Sequence, residues 1–200
     1  MGLLKKSFKM NKKLFSFKRC LYAIRTRMVL KLCKINYELI EVDLKNKPEE
    51  LIKISPKATV PVFILENGVV IDESIKIIQY ALGHKPESLL NIAFNTNKDR
   101  NKIVESEDLI FENDVYFKHY LDRYKYHVRF PENNQLFYRQ KAELFLEKLE
   151  KMLKMSLKEK DNLELNHKEH QFLLGKELKY IDIAIFPFVR QFCYVDDKWF

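Results

Sequence analysis

The chain has 200 residues, of which 46% are hydrophobic and 32% charged, and this is the composition of a soluble globular protein. Only 4 Gly and 6 Pro are present, which excludes collagen-like and low-complexity chains. A net charge of +8 favours an anionic partner, but lysine is spread along the whole chain, so we predict no nucleic-acid partner. No apolar run approaches the roughly 20 residues of a membrane-spanning helix, so we expect no membrane partner either.

The N-terminus and the cysteines favour a cytoplasmic protein. Residues 1–12 are basic and no continuous apolar segment follows them, so we interpret them as a flexible basic tail rather than a secretory signal. Cys20, Cys33 and Cys193 are an odd number of cysteines without CxxC spacing, which argues against a disulfide framework and a zinc site. Residues 167–170 (His-Lys-Glu-His) lack the HExxH order, and no metal is expected.

The first half of the chain alternates strands and helices. Periodicity and turn residues predict strands over residues 13–17, 37–42, 60–65 and 69–71 and helices over residues 21–34, 47–52 and 73–82. The last strand follows the hairpin motif Asn67-Gly68, and Asp72 is expected to cap the helix that comes after it. Because helices connect the first three strands, we expect a mixed sheet with helices on its faces.

The second half of the chain has helical periodicity throughout. We predict a linker at residues 84–97, one long or broken helix over residues 98–126, and helices over residues 134–157 and 181–192. The last of these segments is apolar on nearly all sides and must be buried. The chain is therefore predicted to be an α/β domain over residues 13–83 followed by an all-α domain over residues 98–200.

Cys20 is the first candidate functional residue. It lies between a predicted strand and a predicted helix, so its thiol is expected near a helix N-terminus. Unpaired N–H groups and the helix dipole favour a thiolate there, and Lys18 and Arg19 add positive potential. Position alone does not distinguish a reactive thiol from a small buried hydrophobic side chain.

Two further motifs could bind a ligand. Pro61 stands at the start of a predicted strand and is a candidate for a cis bond, which would expose the N–H and C=O of Val60 to an extended peptide. An ordinary trans proline is the alternative. At the start of the next helix, Ser74 could donate to an anion and Glu73 could accept from an ammonium group, although helix capping explains both equally well.

These motifs occur together, and in this order, in one family. Four runs of the first half, over residues 15–23, 42–48, 55–62 and 71–74, resemble the N-terminal domain of cytosolic glutathione S-transferases. The nearest match is the cysteine type of omega-like and bacterial members, and residues 98–200 are similar to the helical domain of these enzymes. The resemblance implies a thioredoxin-like α/β domain, with a mixed four-stranded sheet and helices, followed by an all-α helical domain.

The resemblance also implies a glutathione site. Glutathione would be a co-substrate, held by Lys47, Val60, Pro61, Glu73 and Ser74. Val60 would pair with the cysteinyl backbone of glutathione beside a cis Pro61. Glu73 and Ser74 would hold the γ-glutamyl ammonium and carboxylate, and Lys47 the glycyl carboxylate.

Cys20 would then be the catalytic residue, forming a mixed disulfide with glutathione. This favours a thiol transferase or reductase that acts on a small hydrophobic or disulfide acceptor, and the resemblance implies a homodimer. The acceptor pocket is expected between the domains. Five aromatic residues are candidates for its lining, although plain core or helix surface is the favoured interpretation of each: Phe111, Tyr116, His119, Tyr120 and Tyr124.

Three departures from the family pattern leave a second function open. Leu21 replaces the proline that commonly follows the cysteine. Lys179 stands where a Ser or Thr usually caps the helix of the structural aspartate, Asp182. The chain also stops at Phe200, so we expect a helical domain truncated at its C-terminal end. The alternative is a non-enzymatic interaction or regulatory protein on the same scaffold, similar to stringent-starvation-type regulators.

Overall fold

The computed structural model describes residues 11–85, 87, 90–91, 97–158 and 171–200. The chain divides into two compact units, Met1–Pro86 and Glu87–Phe200. Nearly all of the predicted basic tail, most of the predicted linker and all of residues 167–170 lie outside the described residues. The tail, the linker and the domain limits drawn from them therefore stay predictions.

Over residues 11–85 the first unit is a four-stranded mixed sheet with helices. Its strands are β1 (Lys13–Ser16), β2 (Glu38–Glu41), β3 (Val62–Ile64) and β4 (Val70–Ile71), and its helices are α1 (Leu21–Leu32), α2 (Glu49–Ile54) and α3 (Ser74–His84). The strand order is β2-β1-β3-β4, with β1 parallel to β2 and antiparallel to β3. The predicted sheet is confirmed, with each element within a few residues of its expected limits.

Both faces of the central strands are covered. Leu14 and Phe15 of β1 are consecutive and fully buried, and successive side chains of a strand point to opposite faces. On one face Phe15 packs with Leu51 of α2. On the other, the Phe63 ring lies 5.8 Å from that of Tyr80 of α3. This packing fixes the pairing register, since a slip of one residue would send each of these side chains to the other face of the sheet, away from its partners.

Helix α1 ends in a Schellman motif built on a lysine. Lys34 has a left-handed backbone (φ 54°). Its N–H donates to the Lys31 carbonyl oxygen (3.0 Å), and the Ile35 N–H donates to that of Leu30 (2.9 Å). Leu30 and Ile35, at the two positions where this motif typically has a hydrophobic contact, are both buried. The hydrogen bonds satisfy two carbonyl groups at the helix end, but the left-handed residue carries a Cβ.

The second unit is helical over its described residues. Its helices are α4 (Asn97–Glu112), α5 (Lys118–Lys125), α6 (Gln135–Lys158) and α7 (Tyr180–Cys193), with a π-helical turn at Asn113–Phe117 and a 3-10 turn at His127–Arg129. The π turn joins α4 to α5, so the predicted helix over residues 98–126 is interrupted there rather than broken by a loop. Among the described residues, none of the helices is both long and apolar enough to cross a membrane.

An aromatic cluster forms part of the second unit's core. Phe117 stacks on Phe145 (ring centroids 4.9 Å apart), and Phe192 of α7 lies 5.1 Å from Tyr124. The predicted burial of the last helix is confirmed, because all but a few of its apolar side chains are buried. Trp199 and Phe200 also reach the Phe192 ring, at 6.0 and 6.1 Å.

Asp182 ties the start of α7 to the preceding turn. Its carboxylate accepts hydrogen bonds from the N–H groups of Lys179 (2.8 Å) and Leu173 (2.9 Å). The Lys179 ammonium has no acceptor atom and makes no cap hydrogen bond, and the Asp182 N–H donates to the Lys179 carbonyl oxygen instead. Burial raises the pKa of Asp182, and the two backbone donors partly offset this effect.

We predict that Lys34→Gly stabilises the protein. Glycine adopts φ near +54° without a Cβ clash, so the change is expected to raise the free energy of unfolding by about 0.5–1 kcal/mol. The measurement is urea unfolding of the full chain followed by circular dichroism. Lys31→Gly, in the last turn of the same helix, is the matched control and is expected to destabilise by about 1 kcal/mol. Equal losses in the two variants would contradict the left-handed assignment.

Candidate functional site

The sheet topology brings three turns to one edge of the first unit. Phe15 of β1 pairs with Val62 of β3, and the strands are antiparallel, so the end of β1 lies beside the start of β3. Phe63 of β3 pairs with Ile71 of β4, so the end of β4 lies at the same edge. The turns before α1, before β3 and before α3 therefore converge, and they carry Cys20, Val60 and Ser74.

Cys20 is the N-cap residue of α1. Its backbone is extended (φ −74°, ψ 122°), and its side chain makes no cap hydrogen bond. The thiol is half-buried and donates to the Val60 carbonyl oxygen, with Sγ and O 3.5 Å apart. Cys33, at the other end of α1, is buried, and Cys193 lies in the last turn of α7. Of the three thiols, Cys20 alone combines partial exposure with a helix N-terminus.

An arginine of α1 holds the turn that leads to Cys20. The Arg27 guanidinium donates to the Ser16 hydroxyl oxygen and to the carbonyl oxygens of Phe17 (3.3 Å) and Lys18 (3.1 Å). Helical side chains lean toward the N-terminus, which lets Arg27 reach back along α1. On the other side of the turn, the Lys18 N–H donates to the Glu41 carboxylate of β2 (2.7 Å). A positive charge thus lies directly behind the turn.

The turn before β3 presents backbone groups beside this thiol. The Val60–Pro61 peptide bond is cis, the isomer that the resemblance implies. Pro61 is buried and Val60 half-buried. The Val60 carbonyl oxygen accepts a hydrogen bond from the Cys20 thiol. The Val60 N–H donates to none of the residues that the structure describes. An N–H open at the end of a strand can pair with an added extended peptide.

Ser74, the first residue of α3, is buried against a second arginine of α1. Its hydroxyl oxygen accepts hydrogen bonds from Nε (3.1 Å) and Nη2 (2.8 Å) of Arg25, a side chain that is only 1% exposed. The hydroxyl hydrogen is left as a donor, and the N–H groups of the first helical turn have no intrahelical acceptor. Ser74 and the start of α3 therefore offer donors backed by a buried cation, which suits a carboxylate.

Glu73 and Asp72 share one lysine from the turn before β3. The Lys57 ammonium donates to Glu73 Oε1 and lies 3.7 Å from Asp72 Oδ2. Asp72 Oδ2 also accepts a hydrogen bond from the hydroxyl of Ser55 (3.4 Å). The expectation that Asp72 caps α3 is wrong: the N-cap residue is Glu73, which makes no side-chain cap hydrogen bond. Asp72 instead ties β4 to the turn before β3.

Lys47 is the predicted site residue with no link to the others. It is half-buried and precedes α2, whose N-cap is Pro48. Its ammonium pairs with none of the described residues. Because Ser16 pairs with Glu41 in parallel strands, the end of β2 lies at the same edge of the sheet as the end of β1, and Lys47 follows β2 along the chain.

Tyr124, one of the predicted acceptor-pocket residues, belongs to the core. It is 2% exposed and packs on Phe192, in agreement with the plain-core interpretation that the sequence favours for it. Phe111 and Tyr116 are exposed and lie edge to face with centroids 6.4 Å apart. His119 is largely exposed. Desolvation of the shielded part of its ring and the positive charge of Arg123 hold the pKa of His119 below its usual value.

The described residues show no metal-ligand cluster, and a cavity of the first unit lies away from Cys20. In the part of the chain that the structure describes, no three His, Cys, Asp or Glu side chains cluster as metal ligands. A cavity of about 580 Å³ lies at the opposite end of α1 from Cys20, and its lining includes Lys34, Tyr37 and His84. None of the predicted glutathione-site residues lines it.

Comparison with known proteins identifies the first unit. Residues 19–82 match the model of the family described as glutathione S-transferase, N-terminal domain. Mouse glutathione S-transferase omega-1 is 37% identical over 78 residues, which are 39% of this chain and 32% of that protein. The matched part thus spans about a third of the length of this curated relative. The family-model match over residues 19–82 contains all of the predicted site residues: Cys20, Lys47, Val60, Pro61, Glu73 and Ser74.

Solved structures extend the likeness in fold to nearly the whole chain. Glutathione transferase Omega 3C from Trametes versicolor superposes with a TM-score of 0.71 at 17% identity, covering 96% of this chain and 77% of that one. A glutathione transferase family member from Pseudomonas fluorescens, solved with two glutathione molecules bound, gives 0.72 at 16% identity over 94% and 80%. Both share the thioredoxin-like plus helical fold, which confirms the predicted fold class.

These findings define the class of the first unit and the fold of the chain. Residues 19–82 match the glutathione S-transferase N-terminal domain, similar sequences include omega-class glutathione S-transferases, and solved glutathione transferases share the fold of nearly the whole chain. The resemblance drawn from the sequence motifs is confirmed at this level.

We predict that Arg27→Met loosens the turn before Cys20. The change removes a charged donor from two carbonyl groups and one hydroxyl, and the expected loss is about 1–3 kcal/mol of unfolding free energy. Thermal unfolding of the full chain measures it. Lys31→Met, on the exposed surface of the same helix, removes the same charge and is expected to stay within about 0.5 kcal/mol of the parent. A loss no larger than the control's would show that Arg27 does not hold the turn.

Proposed function

We propose that the protein is a glutathione-dependent thiol transferase or reductase that acts through a mixed disulfide on Cys20. One observation carries the proposal: the Cys20 thiol lies at the N-terminus of α1, 3.5 Å from the Val60 carbonyl oxygen, next to the open Val60 N–H. A tripeptide thiol that pairs with the Val60 backbone would have its sulfur beside residue 20.

Each part of glutathione meets a matching group in this arrangement. The cysteinyl backbone would pair with Val60 in the manner of an added strand. The γ-glutamyl carboxylate would accept from the Ser74 hydroxyl and the N–H groups of the first turn of α3, and its ammonium would bind Glu73. Lys47, which follows the same sheet edge, would pair with the glycyl carboxylate.

The reaction would be two successive thiol–disulfide exchanges. The Cys20 thiolate attacks the glutathionyl sulfur of a mixed disulfide, RS–SG, and the leaving RS⁻ takes up a proton as the Cys20–SG bond forms. The thiolate of a free glutathione then attacks the glutathionyl sulfur on Cys20. Oxidised glutathione leaves and the Cys20 thiolate is restored, so the two electrons that reduce RS–SG come from glutathione.

The surroundings of Cys20 favour this chemistry over its alternatives. The thiolate is the nucleophile in disulfide exchange, and the N-terminus of α1 and the Arg27 guanidinium both add positive potential near the thiol. An enzyme that only activates the thiol of glutathione needs a hydroxyl donor at this place, and a cysteine there can form a covalent bond to glutathione instead. The homodimer, the acceptor class and the cytoplasmic location remain part of the proposal.

Activity toward a mixed disulfide of glutathione and a short peptide tests the proposal, with formation of oxidised glutathione as the readout. We expect Cys20→Ser to lose turnover by roughly 100-fold or more, because serine cannot form the intermediate. Cys193→Ser is the matched control and is expected to keep its activity, since Cys193 lies in α7, outside the site. Full turnover by Cys20→Ser would contradict the mechanism.

Retention of the protein on immobilised glutathione distinguishes the proposed enzyme from a non-enzymatic protein on the same scaffold. The proposal predicts retention of the folded wild-type chain and its release by free glutathione. A folded chain that is not retained would favour a protein that uses the same scaffold only for protein interactions.

A further inference from the structure

Glu73, the group proposed to bind the γ-glutamyl ammonium, already holds a cation of the chain itself. The Lys57 ammonium donates to Glu73 Oε1. Hydrogen bonding and charge from Glu73 raise the pKa of Lys57. The two side chains are about half exposed, at 54% and 51%, so they can separate without unfolding their surroundings.

A second carboxylate lies within reach of the same lysine. Asp72 Oδ2 is 3.7 Å from the Lys57 ammonium and belongs to the residue just before Glu73. Asp72 is more shielded than Glu73, with a side chain 32% exposed, and the Ser55 hydroxyl holds its position. The lysine thus sits between two acids and can leave one without losing a carboxylate partner.

We propose that Lys57 is a specificity-determining residue that occupies the ammonium subsite of Glu73 in the free protein and moves to Asp72 when a ligand with a free α-ammonium binds. This inference rests on the proposed function, since it assigns a competitor to the glutathione site. Lys57 then lowers the affinity for glutathione and discriminates against weakly held amines. Asp72 reduces this cost, because it keeps the displaced lysine paired.

Binding calorimetry with S-methylglutathione tests the competition, since the blocked thiol prevents disulfide exchange at Cys20. We expect Lys57→Met to tighten binding by about 1.4- to 5-fold, the range of couplings measured for exposed ion pairs. N-acetyl-S-methylglutathione lacks the ammonium group, and its weaker binding is expected to be unchanged by the same substitution. Lys53→Met is the matched control, because Lys53 forms a comparable exposed pair with Glu49 on α2.

A double-mutant cycle tests the role of Asp72. Asp72→Asn is expected to weaken S-methylglutathione binding in the wild-type chain, where the displaced lysine would lose its second partner. In the Lys57→Met background the same substitution is expected to have a clearly smaller effect, because no lysine remains to be displaced. Equal effects in the two backgrounds would overturn the transfer of Lys57 to Asp72.

The outcomes separate this inference from the proposed function. If wild-type chain and variants all fail to bind S-methylglutathione while remaining folded, the glutathione site itself is contradicted. If the wild type binds but Lys57→Met leaves the affinity unchanged, the competition is wrong and the proposed function stands. If Lys57→Met weakens the binding of both ligands, Lys57 contacts the ligand directly. The change in affinity then has the opposite sign to the one expected, and the inference is overturned.

Discussion

The antiparallel pairing of Phe15 with Val62 is the constraint on which the candidate site depends. Both side chains are fully buried in one cluster, so burial of apolar surface sets the register of β1 against β3. Continued past the strands, that register sets Phe17 opposite Val60, and the turn closed by the Cys20 N–H on the Phe17 carbonyl oxygen (3.0 Å) brings Cys20 beside Val60. The contact between the Cys20 thiol and the Val60 carbonyl oxygen is therefore a consequence of core packing and strand direction.

Positive charges and a helix N-terminus lie around the candidate site. Helix α1 contributes its N-terminus at Cys20 and two arginines, one behind the turn before Cys20 and one buried against Ser74. The carboxylate of Glu73 supplies the complementary acid, with Lys57 as its present partner. An extended anionic tripeptide with one ammonium group fits this pattern, because helix N-termini and cationic groups lie along the proposed path and Glu73 lies where the ammonium would lie.

The elements of the first unit could be predicted from local motifs. The side-chain contacts between residues that are distant in sequence could not. Alternating strand residues, Asn67-Gly68 and Pro61 predict the sheet and the turn before β3, because they act within a few residues. Arg25 was missed as a partner of Ser74, although an arginine four residues after Leu21 and four before Val29 on the buried face of a helix signals a buried partner. The pairing of Lys57 with Glu73 crosses 16 residues and has no periodic pattern. Asp72 was misassigned as a cap because sequence spacing does not show which of two adjacent acids enters the N-cap position.

A crystal structure of the chain soaked with oxidised glutathione measures the central claim most directly. The account predicts a disulfide between Cys20 Sγ and the glutathione sulfur at about 2.05 Å, with the cysteinyl backbone of the bound tripeptide paired to Val60. Glutathione bound with its sulfur turned away from Cys20, or found attached to Cys33 or Cys193 instead, would contradict it.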